Sequence, residues 1–269
     1  MLIDPLNVLT IIRQIADEEI LPRFNHLSVD DISEKGPGDV VTIADIEAER
    51  RLTADLTALL PDSQVVGEEG VSMNPDQAKA LDSDRPVWVV DPVDGTQNFA
   101  DGTPCFAVMV ALCRNHTVEA AWIHDPINQT SIYAVKGQGA WEGDRRLPSP
   151  KPMEISDMYG SLSPKRTIDL NRRRAQGGAG IPNLIKRYRC VGREYMDLAR
   201  GKLQFLRYGG KLMPWDHIPG VLIHRETGGY DAVIPAGIPY PVNSNLSTDT
   251  IMLAPNIKRW RELTTLLES

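Results

Sequence analysis

Cysteine is scarce in this chain, with only Cys105, Cys113 and Cys190 among 269 residues. They are widely spaced and lack metal-ligand spacing, so they read as buried thiols of a reducing, cytoplasmic compartment. Long apolar runs are missing too, and none approaches the roughly 18 residues of a membrane span. A signal peptide is not expected either. Asp4, Asp17, Glu18 and Glu19 interrupt the first segment, while Leu2, Leu6, Leu9, Ile12 and Ile15 recur at helical spacing. That pattern predicts an amphipathic packing helix, and its acidic polar face excludes a membrane-surface role. There is no excess of base: 29 Lys and Arg stand against 36 Asp and Glu, a net charge of −7, which disfavours broad nucleic-acid binding. No repeat or low-complexity tract interrupts the chain. With 42% apolar and 24% charged residues it has the composition of an ordinary globular protein, large enough for one domain or two layers around a continuous core.

The most informative stretch present is Trp88-Val-Val-Asp91-Pro-Val-Asp94-Gly95-Thr96. Val87 to Val90 reads as a buried strand with Asp91 at its end. A carboxylate there loses hydration, and a divalent cation would compensate it. Mg²⁺ prefers oxygen ligands, commonly one or two carboxylates plus substrate phosphate. Asp91, Asp94 and the Val93 carbonyl can reach one point, and free N–H groups at Gly95 and Thr96 suit a phosphate. The same letters also fit an Asp-Pro turn followed by an Asp-Gly turn. Gly67-Glu68-Glu69-Gly70 follows another short apolar run and reads either as more acid at a strand end or as a solvated turn. Pro214-Trp215-Asp216 precedes an apolar helical stretch, where Asp216 can be a ligand or a plain N-cap.

Elements can be placed along the chain. Helices are expected over about 2–24, from Thr42 and Asp45 with Ile46, Leu52, Leu56 and Leu59 on one side, and over 194–200, 216–227 and 256–268. Strands are expected near 64–67, 87–91, 105–113, 117–124, 131–135, 187–191, 203–208, 230–234 and 251–254. Ser33 to Gly38 reads as a mobile loop, and prolines at 148, 150 and 152 as a connection between halves 1–147 and 148–269. Arg172-Arg173-Arg174 reads as a solvated helix end, or as a site for phosphate or RNA.

Taken together, Asp39-Val-Val-Thr42-Ile-Ala-Asp45, Gly67-Glu68-Glu69, Trp88 to Phe99, Pro214-Trp215-Asp216 and Gly228-Gly229 resemble the inositol monophosphatase family. That family belongs to the lithium-sensitive, metal-dependent phosphomonoesterases, with fructose-1,6-bisphosphatases and bisphosphate nucleotidases. The resemblance implies an α+β or α/β fold, a layered αβαβα sandwich, and a homodimer using two or three Mg²⁺ ions. It places Glu68, Asp91 and the Val93 carbonyl on a first metal, and Asp91, Asp94 and Asp216 on a second. A weaker third would use Glu68 and waters. Asp45 and Thr96 match the pair that orients and deprotonates the attacking water. Gly95, Thr96 and Asp94 would bind phosphate or substrate, and Glu69 would stand behind the ligands. His217 beside Asp216 is expected to face solvent.

The segment Leu203 to Pro214 departs from the inositol-specific pattern, because it contains no carboxylate. Arg207 and Lys211 stand there instead, and Cys190-Val-Gly-Arg-Glu-Tyr195 lacks the usual small-residue run. The expected activity is hydrolysis of a small phosphorylated alcohol. Arg207 and Lys211 would suit a substrate with a second anion, such as a sugar or nucleotide bisphosphate, or else they are surface residues. Histidinol phosphate is a further candidate. An RNA-associated regulatory protein retaining the fold is the alternative of another class.

Overall fold

The N-terminal periodicity forms helix α1, Pro5–Ile15, whose N-cap Asp4 accepts the Leu6 N–H at 2.9 Å. The helical path continues through a wider turn over Ala16–Ile20 and a tighter one over Leu21–Arg23. The structure is a computed structural model and describes residues 3–36, 38–244 and 249–268, so Leu2 and Pro37 lie outside the described residues. Where the sequence suggested a mobile loop after Ser33, strands β1, Ile32–Gly36, and β2, Asp39–Thr42, pair as an antiparallel hairpin. Its register slips between Glu34 and Gly36, around Lys35.

Helix α2, Ile43–Leu59, starts at a capping box in which Thr42 and Asp45 exchange hydrogen bonds. Its buried side runs through Ala44, Asp45, Ala48, Glu49, Leu52 and Leu56, and Ile46 is exposed, contrary to the apolar stripe expected. Two carboxylates thus occupy a face that periodicity alone would give to aliphatic residues.

A seven-stranded sheet follows in chain order: β3, Gln64–Gly67; β4, Val87–Asp94; β5, Ala107–Arg114; β6, Thr117–Asp125; β7, Thr130–Val135; β8, Gly139–Glu142; and β9, Arg145–Arg146. Only β3 and β4 pair in parallel. Short helices α3, Glu68–Met73, and α4, Thr96–Ala100, leave the ends of β3 and β4. Beyond the proline-bearing connection lie β10, Tyr159–Ser161; β11, Asn183–Leu184; β12, Phe205–Gly209; β13, Tyr230–Ile234; and β14, Thr250–Ala254, in the spatial order β11-β10-β12-β14-β13. Helices α5, Pro164–Ala175, α6, Val191–Ala199, α7, Pro214–Glu226, and α8, Ile257–Glu268, accompany them.

The strand expected over 187–191 does not form: the Tyr188 N–H goes to Glu194 Oε1, Arg189 takes a left-handed backbone with φ 57°, and Val191 already begins α6. Three apolar clusters define the layering. One joins α1 and α2 to the first sheet through Trp88, Val90, Phe106 and Trp122. The second buries α6 and α7 between both sheets, from Val89 and Met109 to Leu206 and Leu253. The third packs α5 and α8 on the outer face of the second sheet through Phe205, Met252 and Trp260. The result is a five-layer αβαβα sandwich. Charge divides with the sheets: residues 1–147 carry 25 Asp and Glu against 11 Lys and Arg, and residues 148–269 carry 11 against 18. The acidic part is thereby covered by helices from a basic one. Among the described residues no helix is long and apolar enough to cross a membrane.

Candidate active site

Parallel pairing sets the first carboxylates side by side. Gly67 of β3 pairs with Val90 of β4, so Glu68 and Asp91 follow at the same end of two adjacent strands. β4 is buried throughout, because both its faces are covered by helices. Residues three apart on a regular strand point to opposite faces. Here the register shifts: Asp91 pairs with Met109 and Asp94 with Ala107, so three steps on β4 match two on β5. This bulge puts Val93 into the core beneath α1 and α2 and leaves Asp91 and Asp94 on the other side, toward α6. The Asp91 carboxylate accepts the Val93 N–H at 3.1 Å and stiffens the turn.

At Gly95 the backbone takes φ 94°, and a Cβ there would lie 3.0 Å from the Cys105 carbonyl oxygen and 3.2 Å from Cys190 Cβ. Only glycine fits that approach. Thr96 then starts α4, and its Oγ1 stands 2.9 Å from Asp45 Oδ1 and 3.0 Å from the Val93 carbonyl oxygen. The other oxygen of Asp45 accepts the Thr42 N–H at 2.9 Å and the Thr42 hydroxyl at 2.5 Å. Burial, opposed by the Thr42 hydrogen bonds and reinforced by Glu69 and Glu68, pushes Asp45 up to about 7.

Asp94 closes the site from the other half. Its carboxylate accepts Gly192 N–H at 2.6 Å, Val191 N–H at 3.1 Å and the Cys190 thiol at 3.0 Å, all at the start of α6. Burial raises Asp94 to about 6 against those hydrogen bonds. Burial also raises Asp91, and the charges of Glu68, Asp94 and Asp216 raise it further. Asp216, in the first turn of α7, is raised by burial and then by Glu68 and Asp94. These carboxylates therefore feel one another although they come from four separate segments.

One cation already sits among them. Lys35 Nζ lies 2.6 Å from Glu68 Oε1 and 3.0 Å from Glu69 Oε1. Burial would lower its pKa, but the two glutamates outweigh that and hold the ammonium above its usual range. A pocket of about 500 Å³ opens here, walled by Lys35, Glu68, Lys211, Trp215 and Asp216.

The structure brings together Asp45, Thr96, Glu68, Glu69, Asp91, Val93, Asp94, Gly95 and Asp216, and places Lys211, exposed, at the pocket rim. It does not bring Arg207. Alternation along β12 turns Arg207 to the face of Phe205, where its guanidinium binds Glu268 of α8 at 2.8 Å. Arg207 is thus neither a pocket residue nor a free surface base. His217 does not face solvent. It is buried beside Tyr208 and Tyr240, 3.1 Å from the Tyr195 hydroxyl, and burial lowers it to about 3. A histidine held neutral in this way is no general acid.

Three contributors escape a reading of motifs. Lys35 lies in a segment whose glycines signal a loop. Asn98 donates to the carbonyls of Cys105 and Tyr188, both at 2.8 Å, joining the two halves, and no local pattern announces that. Glu49 lies one turn beyond Asp45 on the same helix face, but only its contact with the turn after β3 marks it as part of the site.

Among the described residues no three His, Cys, Asp or Glu side chains stand converged as a ready metal cage. Glu68 is engaged by Lys35, and the Asp94 carboxylate by the start of α6. The donor set nevertheless suits a hard cation: all oxygen, mutually repelling, and already hosting an ammonium.

The sandwich and its carboxylates define a class, the metal-dependent phosphatases. The inositol monophosphatase family model matches residues 6–238, and the chain belongs to that family. It is 34% identical over 213 residues to an inositol-1-monophosphatase of Rhizobium meliloti, covering 74% of each chain. It is also 34% identical over 239 residues to the Nus factor SuhB of Pseudomonas aeruginosa, covering 83% of each. Among solved structures, an IMPase from Thermotoga maritima superposes with a TM-score of 0.79 over 98% of this chain and 95% of that one, at 21% identity.

Proposed function

We propose that this protein is a Mg²⁺-dependent phosphomonoesterase that hydrolyses a small phosphorylated alcohol by direct attack of water. The observation that carries this reading is the Thr96–Asp45 contact beside the carboxylates of two parallel strand ends. Glu68, Asp91 and the Val93 carbonyl would hold one ion, and Asp91, Asp94 and Asp216 a second, with a weaker third at Glu68. Such ions neutralise the phosphate, acidify a bound water and stabilise the leaving alkoxide.

The chain's own residues do the rest. Ionised Asp45 accepts the Thr96 hydroxyl proton, which leaves a Thr96 lone pair to accept from water. The water is thereby oriented, and its proton passes toward Asp45. Thr42 fixes the other Asp45 oxygen, so the acceptor cannot rotate away. Gly95 and Thr96 amides would bind the phosphate, and Glu69 supports the Glu68 segment. Positioning and charge neutralisation are what phosphoryl transfer chiefly requires. Lithium, close to Mg²⁺ in size with one charge fewer, is expected to inhibit.

Lys211 favours a second reading of the substrate. An exposed cation on the rim, with no carboxylate in 203–214, suits a bisphosphate better than a neutral polyol. The likeness to Nus factor SuhB supports a regulatory role beside catalysis. The family likeness supports a homodimer, which sedimentation tests, and the sparse cysteines support a cytoplasmic location.

The decisive experiment measures phosphate release from inositol 1-phosphate, fructose 1,6-bisphosphate, adenosine 3′,5′-bisphosphate and histidinol phosphate, with Mg²⁺ and after chelation. Asp94→Asn is the control variant. Release that survives chelation, or an Asp94→Asn variant as fast as the parent, overturns the mechanism.

A further inference from the structure

Glu49 has no place in the mechanism above, yet it is buried and bound directly to the acidic turn. Its Oε2 accepts the Glu69 N–H at 2.8 Å, and its Oε1 accepts the Gly70 N–H at 2.7 Å. Both carboxylate oxygens are therefore spent on consecutive backbone amides of one turn. The approach depends on Gly67: a Cβ there would lie 2.3 Å from Glu49 Cδ and 2.5 Å from each carboxylate oxygen. A bare backbone at 67 is what lets the carboxylate lie across the turn.

The same helix face holds a second part of the site. Asp45 lies one turn before Glu49 on α2, and both are buried. Asp45 binds Thr96 at the end of β4, and Glu49 binds the segment at the end of β3. The rigid rise of one helical turn, about 6 Å over four residues, therefore fixes the distance between the two anchor points. Glu68 itself leans on Lys35, whose hairpin is a separate element, so Glu49 provides the hold from the core side.

We propose that Glu49 is a positioning residue that sets the acidic turn 68–70, and through it the affinity for a divalent ion held by Glu68. This rests on the phosphatase reading. A carboxylate is suited to the task because each of its two oxygens accepts one of two parallel N–H groups, whereas a side-chain amide presents one acceptor oxygen beside a donor NH₂. Groups that orient a ligand from behind typically change metal affinity tenfold to a hundredfold when removed.

The test is calorimetric titration of the metal-free protein with Mg²⁺ and with Mn²⁺, for the parent, Glu49→Gln and Glu49→Ala, with kcat and KM measured at saturating metal. The expected result is metal binding at least about tenfold weaker in Glu49→Ala and at least about threefold weaker in Glu49→Gln. KM for the phosphate ester at saturating metal should stay within about threefold, since Glu49 touches no substrate. A residue that merely supports the fold would lower Tm and leave metal affinity alone. Metal affinity within twofold of the parent in either folded variant overturns the proposal. If Glu49→Ala does not fold, Glu49→Gln decides by the same criterion. A parent protein that takes up no divalent ion overturns the phosphatase reading and this proposal together. A parent that binds ions while the variants bind equally well overturns this proposal alone.

Discussion

Thr96 Oγ1 is within hydrogen-bond reach of two acceptors, Asp45 Oδ1 and the Val93 carbonyl oxygen, and has one proton to give. When Asp45 is ionised the hydroxyl serves Asp45. When Asp45 is protonated it can donate to Thr96, and the hydroxyl proton turns to Val93. Both groups are therefore required together. Asp45→Asn and Thr96→Val are each expected to slow turnover by about 10²–10⁴ while metal binding stays near the parent value. Single-turnover phosphate release alongside metal titration checks this, and a double variant much slower than the worse single one would show that the two act separately.

The buried acids predict how pH and metal trade off. Asp45 and Glu49 lie at about 7 and Asp94 at about 6, each raised chiefly by burial, and Asp91 and Asp216 are raised as well. Between the unfolded value of about 4 and these folded values the native protein holds protons that the unfolded chain has lost. Their contribution to metal-free stability thus declines as pH rises from about 4 to about 7. Buried His124, lowered to about 4, and His217, lowered to about 3, act with the opposite sign. They cost stability as pH falls below about 6.5. The clearer signature is the increment from Mg²⁺, which must displace the carboxylate protons. The rise in Tm on adding Mg²⁺ should be larger at pH 8 than at pH 5, and scanning calorimetry at both values would show it. Equal increments would mean that the ion does not bind at these carboxylates.

Gly95 predicts a stability effect. A side chain there must adopt a left-handed backbone and sit 3.0 Å from the Cys105 carbonyl oxygen. Gly95→Ala should cost about 1–3 kcal/mol and also displace Thr96. Chemical denaturation measures the first effect and kcat the second. An alanine variant as stable as the parent would show that the turn relaxes freely.

The two bases preceding Trp215 should behave differently. Arg207→Ala removes the guanidinium that ties β12 to Glu268, so Tm should drop with a loss of about 1–3 kcal/mol and substrate preference should not move. Lys211→Ala should leave Tm unchanged and raise KM for a bisphosphate about threefold to tenfold, with inositol 1-phosphate unaffected. Steady-state kinetics on both substrates separates the two. A shift in substrate preference from Arg207→Ala would contradict its position on the outer face of the second sheet.

Much of this was legible in the letters. Asp91 to Thr96 carries its chemistry locally, because strand, turn and helix start are all encoded within ten residues. Helix α1 follows from periodicity for the same reason. The failures share one cause, which is partnering at long range. Lys35 is separated from Glu68 by 33 positions, and the hairpin that carries it contains residues that ordinarily mark a loop. Arg207 and His217 look solvent-facing because their types usually are, and only Glu268, Tyr195 and Tyr208 reveal otherwise. The segment 187–191, read as a strand, instead gives the Tyr188 N–H to Glu194 and its carbonyl to Asn98, ninety residues earlier. The bulge is intermediate: its Asp-Pro-Val-Asp letters are visible, but the shift between Asp91 and Asp94 exists only against β5.

The layering has a consequence for synthesis. The seven-stranded sheet is complete once Arg146 has been added, but the helices that cover its inner face, Val191–Ala199 and Pro214–Glu226, are encoded later. At about 5–20 residues per second, the 80 residues from 147 to 226 take roughly 4–16 s to translate. Throughout that interval the nascent chain carries a bare apolar sheet surface, with its acidic site unroofed and its basic counterpart not yet made. Co-translational chaperones would therefore find this polypeptide a client for longer than its size alone suggests, and a ribosome stalled between residues 147 and 226 would leave an aggregation-prone intermediate rather than a finished first half.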